Sequence, residues 1–415
     1  MTIDEQPTRA VAVAPEHDFT ARVQVGSLAS GAPHSYRARC GGGPYLEGRF
    51  RTAPAPADPA AVRFAWGGDL GGQNVCRDVA RGYPIFATIA AREPHFVVGL
   101  GDMIYGDGTC FAIGALGNAQ VPGPGPAVDV EGFRAHWQYN RTDPYLQRLL
   151  TTTGYYAVWD DHEVQNDFGP SEDIRPDVPG RHLLPPGRVA FGEWAPMDAV
   201  DARLYRARRW GAHLELFLLD TRSYRAASTL PDTASEPKTL LGRAQREWLE
   251  AGLAASTATW KLVVSSVPMS IPTGEALRDG WADAGGPTGY ERELRGILRS
   301  AAGHGVRGLV WITTDVHFAT AFHYRPFPED EAFVVHEIAT GPLHAGFFPR
   351  QDLDPTLRPQ RLFFHGPMPT GLPRSLDEAL PWFNFGMAEV DAAGGLVVEV
   401  VDATGRVRQQ VTLSP

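Results

Sequence analysis

The feature that most constrains the fold is a strand–helix–strand unit at residues 62–105, in which both strands end in Gly-Asp. The segment "VRFAWGGD" reads as an apolar strand, "YPIFATIAAREP" as a helix, and "HFVVGLGDMIY" as a second apolar strand. Two such strands joined through a helix pair in parallel, and parallel sheets are buried on both faces. Ligands of these sheets bind beyond the carboxyl ends of the strands. Asp69 and Asp102 are therefore expected at one edge of a buried sheet.

The same pattern continues along the chain. Strands are predicted at "GYYAVWDD", "AHLELFLLDTRSYR", "WKLVVSSVPMS", "RGLVWITTDVHF" and "AFVVHEIATGP", and helices at "GRAQREWLEAGLAAS" and "YERELRGILRSAAGHGV". The tail "FGMAEVDAAGGLVVEVVDATGRVRQQVTL" predicts antiparallel strands joined by glycine turns. This order favours an α/β protein with a partly parallel, buried sheet.

The N-terminal part has a different character. The segments "DFTARVQVGSL", "ASGAPHSYRARCGGG" and "YLEGRFRTA" predict three or four strands, too few for a complete β-sandwich of about 100 residues. We predict a partial β-sandwich-like segment at residues 1–52, a Pro/Ala linker at 53–61 and a large domain at 62–415. Long Gly/Pro-rich connections in that domain are candidate walls of a site, at residues 111–130, 168–190, 270–290 and 345–375.

Composition excludes some classes of function. The net charge is −10 and there is no basic run, so no nucleic-acid-binding surface is evident. No apolar stretch reaches transmembrane length, and the N-terminus shows neither the basic region nor the long apolar region of a signal peptide. Of the three cysteines, Cys76 and Cys110 flank one strand–helix–strand unit. They either pair with each other or remain two free thiols.

Ionisable side chains follow five predicted strands. One aspartate after a strand is usually a turn or cap residue, but several that converge on one edge repel each other unless cations compensate. Two metal ions that share a bridging carboxylate resolve this repulsion. The strand-end residues are Asp69, Asp102, Asp160, Asp161, His162, Asp220, Asp315 and His317.

The order of these blocks resembles a known family. The series "DLG", "GDMIY", "DHE" and "DVH" is similar to the DxG, GDxx, GNH[DE] and GHxH blocks of calcineurin-like metallophosphoesterases, with DxG and GDxxY as in purple acid phosphatases. The neighbouring segments "LGDMIYGD", "WDDHEVQND", "LDTRSYR" and "TDVHF" resemble the PhoD-like alkaline phosphatase D family more closely. The resemblance covers about residues 20–415 and implies an α/β-β/α sandwich, two packed mixed sheets flanked by helices, in a catalytic domain at 62–415.

The resemblance also implies the metal ligands. Asp102 would bridge two ions, and Asp69, Tyr105 and His317 would complete a first site suited to iron as Fe³⁺. At the end of the first strand the family often has a cysteine, as in "FASC". This chain has "FAWGGD" at that position, so the ligand there would be Asp69.

The second metal site would be formed largely by oxygen ligands. Asp161 occupies the position of the Asn in GNH, and Asp315 that of the first His in GHxH. The strand "VVSSVPMS", where the family has another metal histidine, contains none. These oxygen ligands favour Ca²⁺, with Mg²⁺ or Mn²⁺ as alternatives.

Catalytic and supporting roles follow from the same comparison. His162 would act as general acid or electrostatic stabiliser beside the leaving group, oriented by Glu163 or Asp160, and a metal-activated hydroxide would attack phosphorus. Four further polar residues complete the candidate set. Asn166 would contact a phosphoryl oxygen or a ligand, or form an Asx turn; Asp220 and Arg222 would form a supporting ion pair; and His344 is a candidate substrate or metal contact.

The sequence thus predicts a metal-dependent hydrolase of small phosphate esters, a phosphomonoesterase or phosphodiesterase similar to alkaline phosphatase D. Two alternatives stay open: a phospholipase-type phosphodiesterase, and a non-catalytic binding protein stabilised by calcium. Relatives in the family are usually exported, whereas this chain shows no export signal. The preference for monoesters or diesters and the oligomeric state do not follow from the metal ligands.

Overall fold

The N-terminal segment forms a small antiparallel sheet in the computed structural model, which describes residues 1–8, 10–170, 182–195, 203–367 and 371–415. Its strands are β1 (Thr2–Ile3), β2 (Gln6–Pro7), β3 (Pro33–Ala38) and β4 (Leu46–Arg51), in the order β2-β1-β3-β4. The strand predicted at residues 18–28 is not formed. Strand β3 is already paired on both edges, with β1 and with β4. Residues 18–28 therefore have no free edge of β3 with which to pair.

The remaining strands and helices include those that the sequence pattern predicts, in the predicted order, together with others that it did not predict. They are β5 (Val62–Gly67), α1 (Ile85–Ala91), β6 (Phe96–Gly99), α2 (Val130–Arg141), α3 (Pro144–Thr152), β7 (Gly154–Ala157), α4 (Leu184–Trp194), β8 (Arg206–Trp210), β9 (Leu214–Leu218), α5 (Gly242–Ala255), β10 (Trp260–Val264), α6 (Glu291–Gly303), β11 (Leu309–Thr313), β12 (Ala319–Tyr324), β13 (Val335–Ala339), β14 (Pro359–His365), α7 (Leu376–Ala379), β15 (Asn384–Val390), β16 (Leu396–Asp402) and β17 (Val407–Leu413).

Two mixed sheets form the centre of the large domain. The six-stranded sheet has the order β17-β16-β15-β5-β6-β7, and the seven-stranded sheet has the order β14-β12-β13-β11-β10-β9-β8. Strands β5, β6 and β7 are parallel, as are β9, β10, β11 and β13. The carboxyl ends of these parallel strands carry the loops of the candidate site.

Alternation along the strands builds separate layers of core. Phe64 and Trp66 of β5 pack between the two sheets with Leu216 of β9. Their neighbours Ala65 and Phe217 point to the opposite faces, where they join the cores beneath the helices. Because side chains of a strand alternate between faces, each central strand must be apolar on both, which explains its continuous apolar run.

Helices cover the outer faces of both sheets, which confirms the predicted α/β-β/α sandwich. Side chains of α1 to α4 pack on the six-stranded sheet, and those of α5 and α6 on the seven-stranded sheet. Among the described residues, no helix combines the length and the apolar character that crossing a membrane requires.

Regular structure occurs within the predicted wall connections. Strand β14 lies within 345–375, and α4 begins at Leu184, inside 168–190. Residues 171–181 of the latter connection lie outside the described residues. The "LPPG" sequence at the start of α4 suggests a turn, but proline fits the first turn of a helix, where its missing N–H has no helical partner.

Candidate active site

The strand-end residues turn the chain sharply beyond the sheets. Asp69, Asp102, Asp315 and His317 all adopt left-handed backbone conformations, with φ of 63°, 53°, 75° and 56°. Residues other than glycine rarely adopt this region, and such residues cluster at functional sites. The turns bring these side chains together with those of Tyr105, Asp161 and His162 in one largely buried centre.

Two glycines allow the loops to approach each other at this centre. A Cβ on Gly101, whose φ is +107°, would lie 2.5 Å from Asp160 Cβ, and a Cβ on Gly341, whose φ is +132°, would lie 2.3 Å from Asp69 Oδ2. Both positions therefore require glycine for steric reasons as well as for backbone conformation.

One half of the centre contains Asp69, Tyr105 and His317. His317 Nε2 lies 3.2 Å from the Tyr105 hydroxyl and 3.8 Å from Asp69 Oδ1. Its Nδ1 lies 2.7 Å from the Gly346 carbonyl, to which it donates, and burial lowers the pKa of His317 to about 4. The imidazole is therefore neutral at pH 7, with the lone pair of Nε2 directed toward the centre, which is the form that binds metals.

The other half contains two groups of possible metal ligands that share Asp161. Donor atoms of Asp102, Asp161 and His162 lie within 4.8 Å of one another, as do those of Asp161, Asp167 and Asp279. The backbone N–H of His162 donates to Asp102 Oδ1 at 3.2 Å and to Asp161 Oδ1 at 3.0 Å. Asp161 Oδ2 accepts from the Asp167 N–H at 2.7 Å.

The centre carries more negative charge than its own side chains compensate. Burial raises the pKa of Asp69 to about 8, although a hydrogen bond from Thr314 at 2.7 Å opposes this. Burial and the neighbouring carboxylates also raise the pKa of Asp102, Asp315 and Tyr105.

Two carboxylate oxygens of the centre also lack hydrogen bonds. Asp69 Oδ1 and Asp315 Oδ2 are buried oxygens without a hydrogen-bond partner. Buried carboxylates with free oxygens are expected where cations bind, so the donor set fits metal ions.

His162 contacts a residue that the sequence analysis did not select. Its Nδ1 lies 2.7 Å from Asp107 Oδ1, and Asp107 Oδ2 accepts from the Asn166 N–H at 2.8 Å. Burial disfavours the imidazolium, but Asp107 and Asp161 outweigh it and raise the pKa of His162 to about 10. The contact expected from Asp160 or Glu163 is thus made by Asp107.

Glu163 supports the backbone of the centre. Its Oε2 accepts from the N–H groups of Asp102 and Asp160, at 3.0 and 2.8 Å, and its Oε1 accepts from the N–H of Met103 at 2.8 Å. The carboxylate therefore joins the loops that follow β6 and β7 and holds Asp102 in position.

Asp160 is neutralised by a buried arginine. Arg222 Nη2 lies 2.6 Å from Asp160 Oδ1 and 2.6 Å from Asp279 Oδ2, and all three side chains are almost fully buried. Arg225 forms a further ion pair with Asp279. Arg222 Nη2 is also 3.8 Å from Asp161 Oδ2, so its charge reaches the centre.

Asp220 does not form the predicted ion pair with the Arg222 side chain. Its Oδ1 accepts from Trp159 Nε1 at 2.8 Å and from the backbone N–H groups of Arg222 and Ser223 at 3.2 and 2.9 Å. This aspartate caps the turn after β9, and the guanidinium it was expected to bind is instead directed to Asp160.

The two remaining candidates lie at the border of the centre. Asn166 is exposed, and its backbone meets Asp107. The His344 imidazole is buried, stacks on Phe383 with ring centres 4.3 Å apart, and lies 3.1 Å from the Cys76 carbonyl. Its backbone pairs with the loop of Asp69 instead, since the His344 N–H donates to the Asp69 carbonyl at 3.1 Å.

Several residues of the centre carry weak sequence signals. Asp107 belongs to the second Gly-Asp of "LGDMIYGD", and Asp167 closes "WDDHEVQND", so both lie within segments that resemble the PhoD-like family. Asp279 lies in a segment without such a motif. Ser266, whose hydroxyl donates to Asp160 Oδ1 at 2.8 Å, lies in "VVSSVPMS", for which the resemblance indicates only a missing histidine. Only packing of the seven-stranded sheet against the other sheet brings these last two to Asp160.

A disulfide joins two loops beside the centre. Cys76 and Cys110 are bonded, with Cα atoms 5.9 Å apart, which decides between the two alternatives that the sequence left open. Cys40 is an exposed free thiol. The disulfide attaches the start of the 111–130 connection to the segment that follows Asp69.

The two packed mixed sheets, with acidic and imidazole side chains at their shared carboxyl edge, define a protein of the metallophosphoesterase fold. The profile of the PhoD-like phosphatase family matches residues 64–379, more than half of the chain. The chain belongs to this family.

Comparisons with individual proteins agree. Alkaline phosphatase D of Bacillus subtilis (strain 168) is 24% identical over 332 residues, covering 74% of this chain and 54% of that protein. The chain therefore spans about half the length of this curated relative. A solved structure of PhoD matches with a TM-score of 0.75 at 20% identity, covering 96% of this chain and 80% of that chain.

A more distant structure shares the fold. The purple acid phosphatase from yellow lupin (Lupinus luteus) seeds matches with a TM-score of 0.59 at 14% identity, over 93% of this chain and 60% of that chain. At these identities the two solved structures establish the fold, and the roles of individual residues must come from the geometry of the centre itself.

Proposed function

We propose that this protein hydrolyses phosphate esters with the help of two bound cations. The observation that carries the proposal is the convergence of Asp69, Asp102, Asp161 and Asp315 in a buried centre where the pKa of three of them is raised and two oxygens lack partners. Such an arrangement is costly for folding alone and is expected where cations bind. Membership of the PhoD-like phosphatase family supports the same reaction.

The donor atoms suggest how two ions would be held. Asp102 contacts the second half directly, and its charge adds to burial in raising the pKa of Tyr105 in the first half, so Asp102 would be shared by the two ions. Asp69, Tyr105 and His317 would hold the first ion, for which a phenolate and carboxylates favour Fe³⁺.

The second ion would be held by Asp161 and Asp315. Their carboxylate oxygens favour Ca²⁺, with Mg²⁺ or Mn²⁺ as alternatives. When bound, such cations polarise phosphoryl oxygens and lower the pKa of a water molecule that can attack phosphorus.

His162 would supply the proton for the leaving alcohol. With Nδ1 held 2.7 Å from Asp107, Nε2 is the nitrogen that would give its proton. The raised pKa of His162, about 10, keeps the imidazole charged at neutral pH, as a general acid requires. The side chains of His162 and Asp107 are each only 14% exposed, which limits proton exchange between this pair and bulk water.

Two supports would hold these groups in place. Glu163 accepts three backbone N–H bonds from the loops that carry Asp102 and Asp160. Arg222 neutralises Asp160 and lies near Asp161, so the carboxylate of Asp161 can remain ionised. Arg222 and His162 outweigh the effect of burial, and the pKa of Asp161 is lowered.

The test combines elemental analysis of the purified protein with assays on p-nitrophenyl phosphate and bis-p-nitrophenyl phosphate. We expect metal near two ions per chain and turnover of at least one of the two esters. The ester that is hydrolysed also separates monoesterase from diesterase activity. No turnover of either ester by fully metallated protein would overturn the proposal and leave a calcium-stabilised binding protein as the alternative.

A further inference from the structure

Three apolar side chains, Phe111, Ile113 and Phe348, lie on loops that are attached to the candidate active site and are here called the apolar rim. Phe111 and Ile113 are each 61% exposed, and Phe348 is half-buried. Single apolar residues on a surface are ordinary, but a group of them beside a ligand site marks a surface that binding would cover.

Phe348 packs directly against the site. Its ring stacks on the imidazole of His317, with ring centres 4.2 Å apart and planes inclined by 24°. The carbonyl of Gly346, two residues earlier, lies 2.7 Å from His317 Nδ1. A proposed metal ligand and the rim are thus in van der Waals contact.

Gln73 and Asn74 connect the two halves of the rim. Asn74 Oδ1 accepts from the Phe111 N–H at 3.0 Å, and its Nδ2 donates to the Ile113 carbonyl at 3.1 Å. Gln73 Oε1 accepts from the Gly346 N–H at 3.1 Å. These three bonds hold both rim loops on one short segment.

The same segment is part of the site wall. Gly72, the residue before Gln73, lies against the Tyr105 ring in the first half of the centre, since a Cβ at Gly72 would be 2.3 Å from Tyr105 Cζ. Cys110, the residue before Phe111, is bonded to Cys76. The rim is therefore continuous with the centre and held in place by covalent and hydrogen-bonded attachments.

We propose that the apolar rim binds the alcohol-derived group of the substrate, so that the protein selects phosphate esters of apolar alcohols over those of small polar ones. This inference rests on the proposed function, because the phosphate must lie at the carboxylate centre for the organic group to reach the rim. An alkyl or aryl group laid on Phe111, Ile113 and Phe348 removes apolar surface of both partners from water. A short polar ester leaves the rim exposed and gains nothing from it.

The test measures how strongly methyl, butyl and octyl phosphate compete with the hydrolysis of the nitrophenyl esters by the protein as purified with its metals, which gives an apparent affinity for each alkyl phosphate whether or not it is itself hydrolysed. We expect affinity to increase at least about tenfold from methyl to octyl phosphate, since each fully buried methylene contributes about fourfold and the rim covers only one side of the chain. In the double variant Phe111→Ser/Ile113→Ser we expect the affinity for methyl phosphate to be unchanged. Most of the increase in affinity with the length of the alkyl chain should be lost.

A matched control removes exposed apolar side chains elsewhere. Tyr45→Ser/Val407→Ser changes residues that are 49% and 42% exposed, on the N-terminal hairpin and on β17. This double variant should keep the full gain with chain length.

The outcomes separate the two proposals. Equal affinity for methyl and octyl phosphate, or an equal loss in the control variant, would overturn the role of the rim while leaving the proposed function intact. If the metallated protein hydrolyses neither nitrophenyl ester, the proposed function fails and the role of the rim fails with it.

Discussion

Asp107 Oδ1 lies 2.7 Å from His162 Nδ1, although the two residues are 55 positions apart in the chain. The loop after β6 supplies the carboxylate and the loop after β7 supplies the imidazole, and these strands are parallel neighbours. A carboxylate at one ring nitrogen fixes the tautomer and orientation of the ring and favours its charged form.

Replacing Asp107 by Asn should therefore weaken His162 as an acid. The pKa of His162 should fall, because the carboxylate that stabilises the imidazolium is lost. We expect kcat/KM to fall about 10- to 100-fold, with the basic limb of the pH–rate profile moved to lower pH. Asp58→Asn, at an exposed carboxylate, is the control. A pH profile identical to that of the unmodified protein would show that Asp107 does not act through His162.

Removing the imidazole should separate catalysis from metal binding. His162→Ala should lower kcat about 10²- to 10⁴-fold, the usual contribution of a general acid, while the metal content measured by elemental analysis stays nearly unchanged. Asp102→Asn should lose both metal and activity, since Asp102 would be shared by the two ions. Loss of metal from His162→Ala would contradict the role assigned to this residue.

The buried arginine should be necessary for stability. Arg222→Met leaves Asp160 and Asp279 buried without their main cation, so we expect the free energy of unfolding to fall by about 3–5 kcal/mol. Adding Asp160→Asn should restore part of this loss in a double-mutant cycle measured by denaturant titration. Arg243→Met removes an exposed i,i+4 pair with Glu247 and should change little. If the effects of Arg222→Met and Asp160→Asn on the free energy of unfolding are additive, the two side chains are not coupled.

The disulfide should stabilise the folded chain. It closes a loop with a sequence separation of 34 residues, so the double variant Cys76→Ser/Cys110→Ser should lose on the order of 3–4 kcal/mol of unfolding free energy. Cys40→Ser, at the exposed free thiol, should have no effect. Chemical denaturation of the three proteins is the measurement, and equal midpoints would show that the bond adds no stability.

His336, a buried histidine on β13 that is not among the residues of the candidate active site, should make the protein sensitive to acid. Burial and the neighbouring His323 lower the pKa of His336 to about 4, against about 6.5 in an unfolded chain. The unfolded state therefore binds more protons between these values, and the stability contribution is fully present above pH 6.5 and lost as pH falls toward 4.

The size of this effect on the free energy of unfolding is on the order of 3 kcal/mol. Denaturant titrations at several pH values should show a shallower acid dependence in His336→Phe than in the unmodified protein. His304→Phe, at an exposed imidazole, should keep the original dependence. If both variants lose stability in parallel with the unmodified protein, His336 is not the group that titrates.

Much of the architecture could be predicted from local patterns. The unit of β5, α1 and β6 was visible because an apolar run, a helical repeat and a second apolar run are each local properties. Helix α4 was missed because its "LPPG" start reads as a turn, and the strand predicted at residues 18–28 failed because β3 has no free edge. Pairing depends on a neighbour, which local alternation does not describe.

The sequence by itself determined which residues would stand at strand ends and which of them share one edge of a sheet. Asp69, Asp102 and Asp161 each follow a parallel strand of the six-stranded sheet, and such strands end at the same edge, so their convergence follows from strand order. Asp315 and His317 follow β11 of the seven-stranded sheet, and the packing of the two sheets brings them to the first group.

Only the tertiary structure decided which groups support them. Asp107 rather than Glu163 holds His162, and Arg222 joins Asp160 to Asp279 rather than pairing with Asp220. These contacts cross between loops 55 to 62 residues apart. Their partners are chosen by the packing of one sheet on the other and by the need to neutralise buried charge, and both arise only when the chain is folded.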